Sequence, residues 1–226
     1  MTLSLWAPVD RDRPVRKLYK DGKKVEIEWS YYWREVKAWK NEDITLSLIK
    51  TLKDKIIERD LNVCLGSNSP IEELLTDRNE FRRTKASLKN EDRNWSLLDC
   101  DKCYPEVHPQ MSTRERVKVL EDRLPILRRQ GLVAWPSSSG YFLDDSIDKE
   151  TGLSKHHRLN LHIFILFDKP ESEQTIKNFL KSHKDDLDTA LGVITQPHLI
   201  ANPIFENTPK HTYPGQDIYL REDGEC

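Results

Sequence analysis

The chain has 226 residues, 33% of them charged, with a formal net charge of −2 and a mean hydropathy of −0.72. That length can bury a sizeable core, and no apolar run approaches the ~20 residues that cross a bilayer. A net charge so near zero does not mark the whole molecule as a polyanion binder. The four scattered cysteines give no disulfide framework, so a reducing compartment is expected. The N-terminus has no basic segment ahead of a hydrophobic stretch, so a cytoplasmic protein rather than a secreted one is expected. Neither a Gly-x-x-x-x-Gly-Lys-Ser/Thr loop nor a Gly-x-Gly-x-x-Gly turn occurs, which excludes an ATPase motor or a dinucleotide fold of those kinds.

Residues 1 to about 28 read as irregular or strand-like. From Asp10 to Lys40, ten Lys/Arg stand against six Asp/Glu, interleaved with Trp29, Tyr31, Tyr32, Trp33 and Trp39. Cations meet phosphates and rings stack on bases, so this stretch suits a nucleic-acid strand. The competing reading is an amphipathic helix that packs its aromatics on the rest of the protein. Ile44, Leu48, Ile49, Leu52, Ile56 and Ile57 recur at helical spacing. Ser69-Pro70 supplies a cap and first-turn proline for a short helix through Leu75. Residues 1–90 are therefore expected to form a mainly helical accessory lobe.

Residues 91–210 are expected to form a separate core. Asn94 to Asp101 reads as a strand, and since residues i and i+2 share a face, Asp99 and Asp101 project side by side. Two carboxylates ~4 Å apart repel by roughly 4 kcal/mol at intermediate dielectric. Such a pair needs a proton, an arginine or a metal cation between its members. Ser112 and Glu115 form a capping box for a helix lined by Val117, Leu120, Leu124 and Leu127, kinked at Pro125 and closed by Gly131. A short strand through Trp135 leads to the serine turn Pro136 to Gly140, followed by a charged insertion from Leu143 to Lys155. Leu161 to Phe167 is apolar on both faces, as a central strand should be, with His162 as the polar exception. A helix spans Glu171 to His183, Asp186-Leu187-Asp188 follows, and residues 211–226 read as a polar tail or linker.

The order of acidic pair, serine-rich turn, strand histidine and late hydrophobic-Asp resembles the archaeo-eukaryotic primase superfamily, in the primase-polymerase branch of phages, plasmids and other mobile elements. Phe81-Arg82-Arg83-Thr84 and Gln196-Pro197-His198…Asn202-Pro203 also look like that branch. The resemblance covers roughly Phe81 to Phe205. It implies an α+β fold with an RRM-like open antiparallel sheet, helices on one face and the site on the other. It implies that Asp99, Asp101 and Asp188 hold two Mg2+ or Mn2+ ions, and that His162 with Ser137, Ser138 or Ser139 binds nucleotide. That family usually spaces its serine and histidine by a few residues, whereas Tyr141 to Asn160 intervenes here, so the choice of serine stays open. The basic cluster Lys155 to Arg158 is a further phosphate candidate, with Arg158 foremost.

The expected activity is template-directed nucleotidyl transfer from (d)NTPs on a single-stranded DNA template, alongside a replicative helicase, fused or separate. Three rivals stand beside it. Cys100, Cys103 and His108 could begin a zinc site, although a fourth ligand is missing. A rolling-circle initiator or relaxase would use Tyr213 or Tyr219 as nucleophile, but Asn160-Leu161-His162 lacks the first histidine of the His-hydrophobic-His motif. A non-catalytic module that grips single strands is the third.

Overall fold

In the computed structural model, described for all residues except 1, 11–12, 14, 27–29, 142–145, 194, 210–217 and 224–226, the chain is α+β. In chain order the elements are β1 (Thr2–Pro8), β2 (Leu18–Lys20), β3 (Lys23–Val25), β4 (Tyr32–Lys40), α1 (Leu46–Glu58), β5 (Cys64–Gly66) and β6 (Glu80–Arg82). There follow β7 (Arg93–Cys100), α2 (Thr113–Arg123), β8 (Leu132–Pro136), β9 (Leu161–Glu171), α3 (Glu173–Ser182), β10 (His198–Leu199), β11 (Ile204–Glu206) and β12 (Tyr219–Arg221). Among the described residues no helix is long and apolar enough to cross a membrane.

Two sheets organise the molecule. One has four strands in the order β12-β8-β9-β7, every neighbour antiparallel. Because β7 and β8 are each antiparallel to β9 between them, they run parallel to one another, joined through α2 as a split β-α-β unit. Leu161 to Ile165 of β9 are all buried, as their unbroken hydrophobicity requires of a central strand. The expected helices form: Thr45 caps α1, Ser112 and Glu115 make the capping box of α2, and Ser172 caps α3. α2 ends at Arg123 instead of kinking, because Pro125 has no N–H to continue the ladder and starts a 3-10 turn, Pro125–Arg129.

The other large sheet has the order β10-β5-β1-β4-β6. Residues 1–90 are therefore not mainly helical: among the described residues they hold one α-helix, α1, against six strands, β1 to β6, of which β2 and β3 form a small separate sheet with β11. The basic, aromatic segment Tyr32–Lys40 is a strand, not an amphipathic helix. Its alternation is disguised by a bulge, since Leu5 pairs with Lys37 but Trp6 pairs with Glu35, leaving Val36 unmatched. The short segment after Ser69-Pro70 is a 3-10 turn, Glu72–Leu74. β10, from the later part of the chain, completes this sheet, so it spans both halves of the sequence.

The sheets share a core that includes Leu3, Leu65, Ile56, Leu97, Leu120 and Phe164. A second, smaller cluster gathers Trp6, Trp33, Phe81, Cys64, Val15 and Leu88 on the far side of β1. The chain end expected as a polar tail contains β12, which docks on β8. Arg221 holds it there, pairing with Glu121 and donating to the carbonyls of Leu127 and Gln130. Gly131 admits it: a Cβ there would stand 2.2 Å from the Glu222 carbonyl oxygen.

Candidate functional site

Cross-strand pairing builds the centre of the site. Asp99 of β7 lies directly opposite His162 of β9, and His162 lies opposite Trp135 of β8. Partners in register share a face, so carboxylate, imidazole and indole form a row across three strands. His162 Nε2 stands 3.4 Å from Asp99 Oδ1, and its ring meets Trp135 edge-on with centroids 6.0 Å apart. Asp101, two residues beyond Asp99, accepts from Ser137 Oγ at 2.9 Å and Ser139 Oγ at 3.3 Å, while the two hydroxyls lie 2.8 Å apart. The serine turn is held by Ser137 N donating to the Asn160 carbonyl at 2.8 Å. The side chain of Ser138 lies outside the described residues.

This face is not open to solvent as an RRM-like sheet's would be. Trp135 is 1% exposed and His162 4%. Two features cover it: α1 sets the Lys53 ammonium 5.8 Å from the Trp135 ring, and the chain from Leu199 to Pro203 passes beside His162. Lys53 fastens the two together by donating to the Ile200 carbonyl at 2.6 Å. Burial pushes its pKa down to about 7.

The two carboxylates are electrostatically unlike. Burial pushes Asp99 upward, but His162, then Lys17 and His198, outweigh it and hold Asp99 below the usual carboxylate range. Asp101 is raised, first by burial and then by the charge of Asp99, with Lys17, His162 and the Ser137 hydrogen bond pulling the other way. Lys17, just before β2, thus acts on both members of the pair. Nothing in its sequence neighbourhood marks it, because the chain brings it there from more than eighty residues upstream. His198 is buried against Trp95, 3.3 Å from Ser67 Oγ, and burial followed by the charge of Arg93 keeps its imidazole well below the ordinary histidine value.

Asp188 comes alongside through its backbone: its N–H donates to the Asp99 carbonyl at 2.9 Å. Its carboxylate accepts from Ala190 N at 2.8 Å and caps the 3-10 turn Thr189–Gly192. Asp186, two residues earlier, accepts from the Tyr104 hydroxyl at 2.8 Å. Asp101, Asp186 and Asp188 line one cavity of about 640 Å³, a volume in the range of small-molecule sites. Its wall also carries Asp148 and Glu150 and five cations, Lys102, Lys149, Lys155, Lys184 and Arg158, the last 3.6 Å from Asp148. The inserted loop is anchored by that pair and by Lys102 to Glu150 at 3.0 Å.

Among the described residues no group of three or more His, Cys, Asp and Glu side chains takes up a metal-ligand arrangement. The acidic pair by itself suits a cation. Asp99 Oδ1 is buried and accepts no hydrogen bond, and Asp101 is raised by the charge beside it. Cys100 and Cys103 are both buried, Cys100 with its sulfur 3.8 Å from the Tyr104 hydroxyl. Tyr213 lies outside the described residues, and Tyr219 sits in β12 beside Ala134. Compared with protein-family models, with curated proteins and with solved structures, the chain matches none.

Proposed function

We propose that the chain is a primase-polymerase that joins nucleotides on a single-stranded template, with Asp99, Asp101 and Asp188 as ligands of two divalent ions, Mg2+ or Mn2+. The observation that carries the reading is a pair of unlike carboxylates at the end of β7: Asp99, held below the usual carboxylate range with His162 opposite it, and Asp101, which lines a cavity whose wall carries five cationic side chains. When bound, such ions activate the attacking hydroxyl and neutralise the departing pyrophosphate. The protein's own work is positioning and charge stabilisation, as phosphoryl transfer requires.

In this reading Asp99, held below the usual carboxylate range, is the more readily ionised member of the pair. Asp101 would serve as the second ligand in place of the hydrogen bonds it accepts from Ser137 and Ser139. Ser137 and Ser139, released, turn to the nucleotide's phosphates. His162, buried against Asp99, fixes that carboxylate in place. Lys102, Lys155, Arg158 and Lys184 draw in the triphosphate, since cations around a pocket raise the local anion concentration. Asp188, whose backbone is already hydrogen-bonded to β7, would supply the third ligand by rotating its carboxylate off the cap of the 3-10 turn.

The split β-α-β arrangement of β7, α2 and β8 around β9 supports an RRM-like core, with β12 added at the β8 edge. The wider setting we propose is replication of a phage or mobile element in the cytoplasm, beside a helicase. The test supplies primed and unprimed single-stranded DNA, labelled nucleotides and Mg2+ or Mn2+. Wild type extends or initiates strands, and Asp99→Ala, with the same circular dichroism and melting curve, does not. Folded wild type that yields neither dinucleotide nor extension product with any combination of template and metal defeats the proposal.

A further inference from the structure

The bulge at Val36 has an effect beyond the strand itself. Leu3, Leu5 and Ala7 of β1 face the main core, and their partners on β4 are Trp39, Lys37 and Arg34. Without the unmatched Val36, Lys37 and Arg34 would fall on opposite faces of the strand, since three residues separate them. The bulge brings them to one face. It also sends Trp33 inward against Trp6 and Phe81, and leaves Tyr32 outward beside its partner Arg82 of edge strand β6.

One face of β4 and β6 therefore carries Trp39, Lys37, Arg34, Tyr32 and Arg82 in a row, cations interleaved with rings. Lys37 lies 5.0 Å from the Trp39 ring. The Arg82 guanidinium stacks 4.5 Å from Tyr31 and 5.4 Å from Tyr32, and donates to the Tyr32 hydroxyl at 3.2 Å. Tyr31 is 59% exposed. At the end of the row, Tyr31, Arg82, Arg83 and Trp33 line a hollow of about 300 Å³, with the Arg83 guanidinium 5.4 Å from the Trp33 ring. Among the described residues the row sets Lys37, Arg34 and Arg82 beside the carboxylate of Glu80, which is paired to Arg34 at 3.1 Å, and Arg83 stands beyond its end.

We infer that this face binds a single strand of nucleic acid, its phosphates on the arginines and lysine and its bases stacked against Tyr31 and Tyr32. The charge selects a polyanion and the exposed rings select unpaired bases, which a duplex does not offer. The face lies on the strands farthest from β10, which carries His198. Four strand spacings of about 4.8 Å separate them, roughly 19 Å in all. The identification of the bound strand as the template rests on the function proposed above; the binding does not.

The test is fluorescence anisotropy with a labelled 20-nucleotide oligothymidine in chelator, without nucleotides, so that catalysis plays no part. Tyr31→Ala, at an exposed position, weakens binding about tenfold, the usual cost of losing one stacking ring. Arg82→Gln weakens it similarly and lowers the slope of log affinity against log salt by about one. Lys37→Gln serves as a second probe of the same row. Wild-type affinity in all three folded variants, or a preference for duplex over single strands, overturns the inference. Strand binding lost in these variants while extension of the bound primer fails in wild type would sink the function and leave this surface standing.

Discussion

Asp99 and Asp101 are the same residue type two positions apart, yet their surroundings separate them. Asp99 has His162 across the strand, whereas Asp101 has neutral hydroxyls and the repulsion of Asp99. A cation that enters competes with protons for Asp101, whose hold on them burial and the charge of Asp99 raise, so metal affinity should rise with pH until that carboxyl is fully ionised. Manganese titrations from pH 5 to 8 should show affinity climbing by up to about tenfold per pH unit on the acid side. Asp101→Asn should weaken binding and flatten this slope. A wild-type affinity that ignores pH would contradict the assignment. This much of the site is legible from sequence because it depends on local rules: the two-residue period of a strand, and a lone histidine in an apolar central one. Lys17 is not legible, since it reaches the pair through tertiary folding that no spacing encodes, and His198 is marked only by the family resemblance. Asp188 is legible as a position and not as a conformation, because a carboxylate just before a 3-10 turn finds an N–H to cap.

At the level of elements, periodicity succeeds where it is unbroken. α1, α2, α3, β7 and β9 follow from apolar spacing and caps, and all carry that spacing without interruption. β4 hides because Val36 shifts its phase midway, so that neither a period of two nor a period of 3.6 fits the whole segment. β12 hides for another reason: three residues in a polar stretch owe their place to one side chain. Arg221 and Glu121 are 9% and 5% exposed, and removing one partner leaves the other charge buried alone. Arg221→Met should therefore cost about 3 kcal/mol. Adding Glu121→Leu should recover part of that, leaving the unmet carbonyls of Leu127 and Gln130 as the remainder. Urea midpoints of the two variants and wild type decide it; a single variant as stable as wild type would show that β12 is held by its strand pairing alone.

Across the whole molecule, the two sheets close on each other through α1 and the chain that follows His198, and Lys53 sits where they meet. Its ammonium has one acceptor, the Ile200 carbonyl, and an indole face beside it. Burial holds its pKa at about 7, whereas in the unfolded chain it returns to 10.5. Between those values the unfolded state binds the extra proton, so stability rises with pH across the window and the gain is complete above it. From pH 7 to pH 9 the rise attributable to Lys53 is about 2 kcal/mol. Lys53→Met should remove that rise. At pH 7 it should also leave the protein at least as stable as wild type, because the cost of burying the amine outweighs the lost hydrogen bond of about 1–3 kcal/mol. The comparison is the difference in urea midpoint between pH 7 and pH 9 for the two proteins. Equal differences would mean that Lys53 keeps its proton in the folded state, and that the junction between the sheets is wetter than its packing indicates.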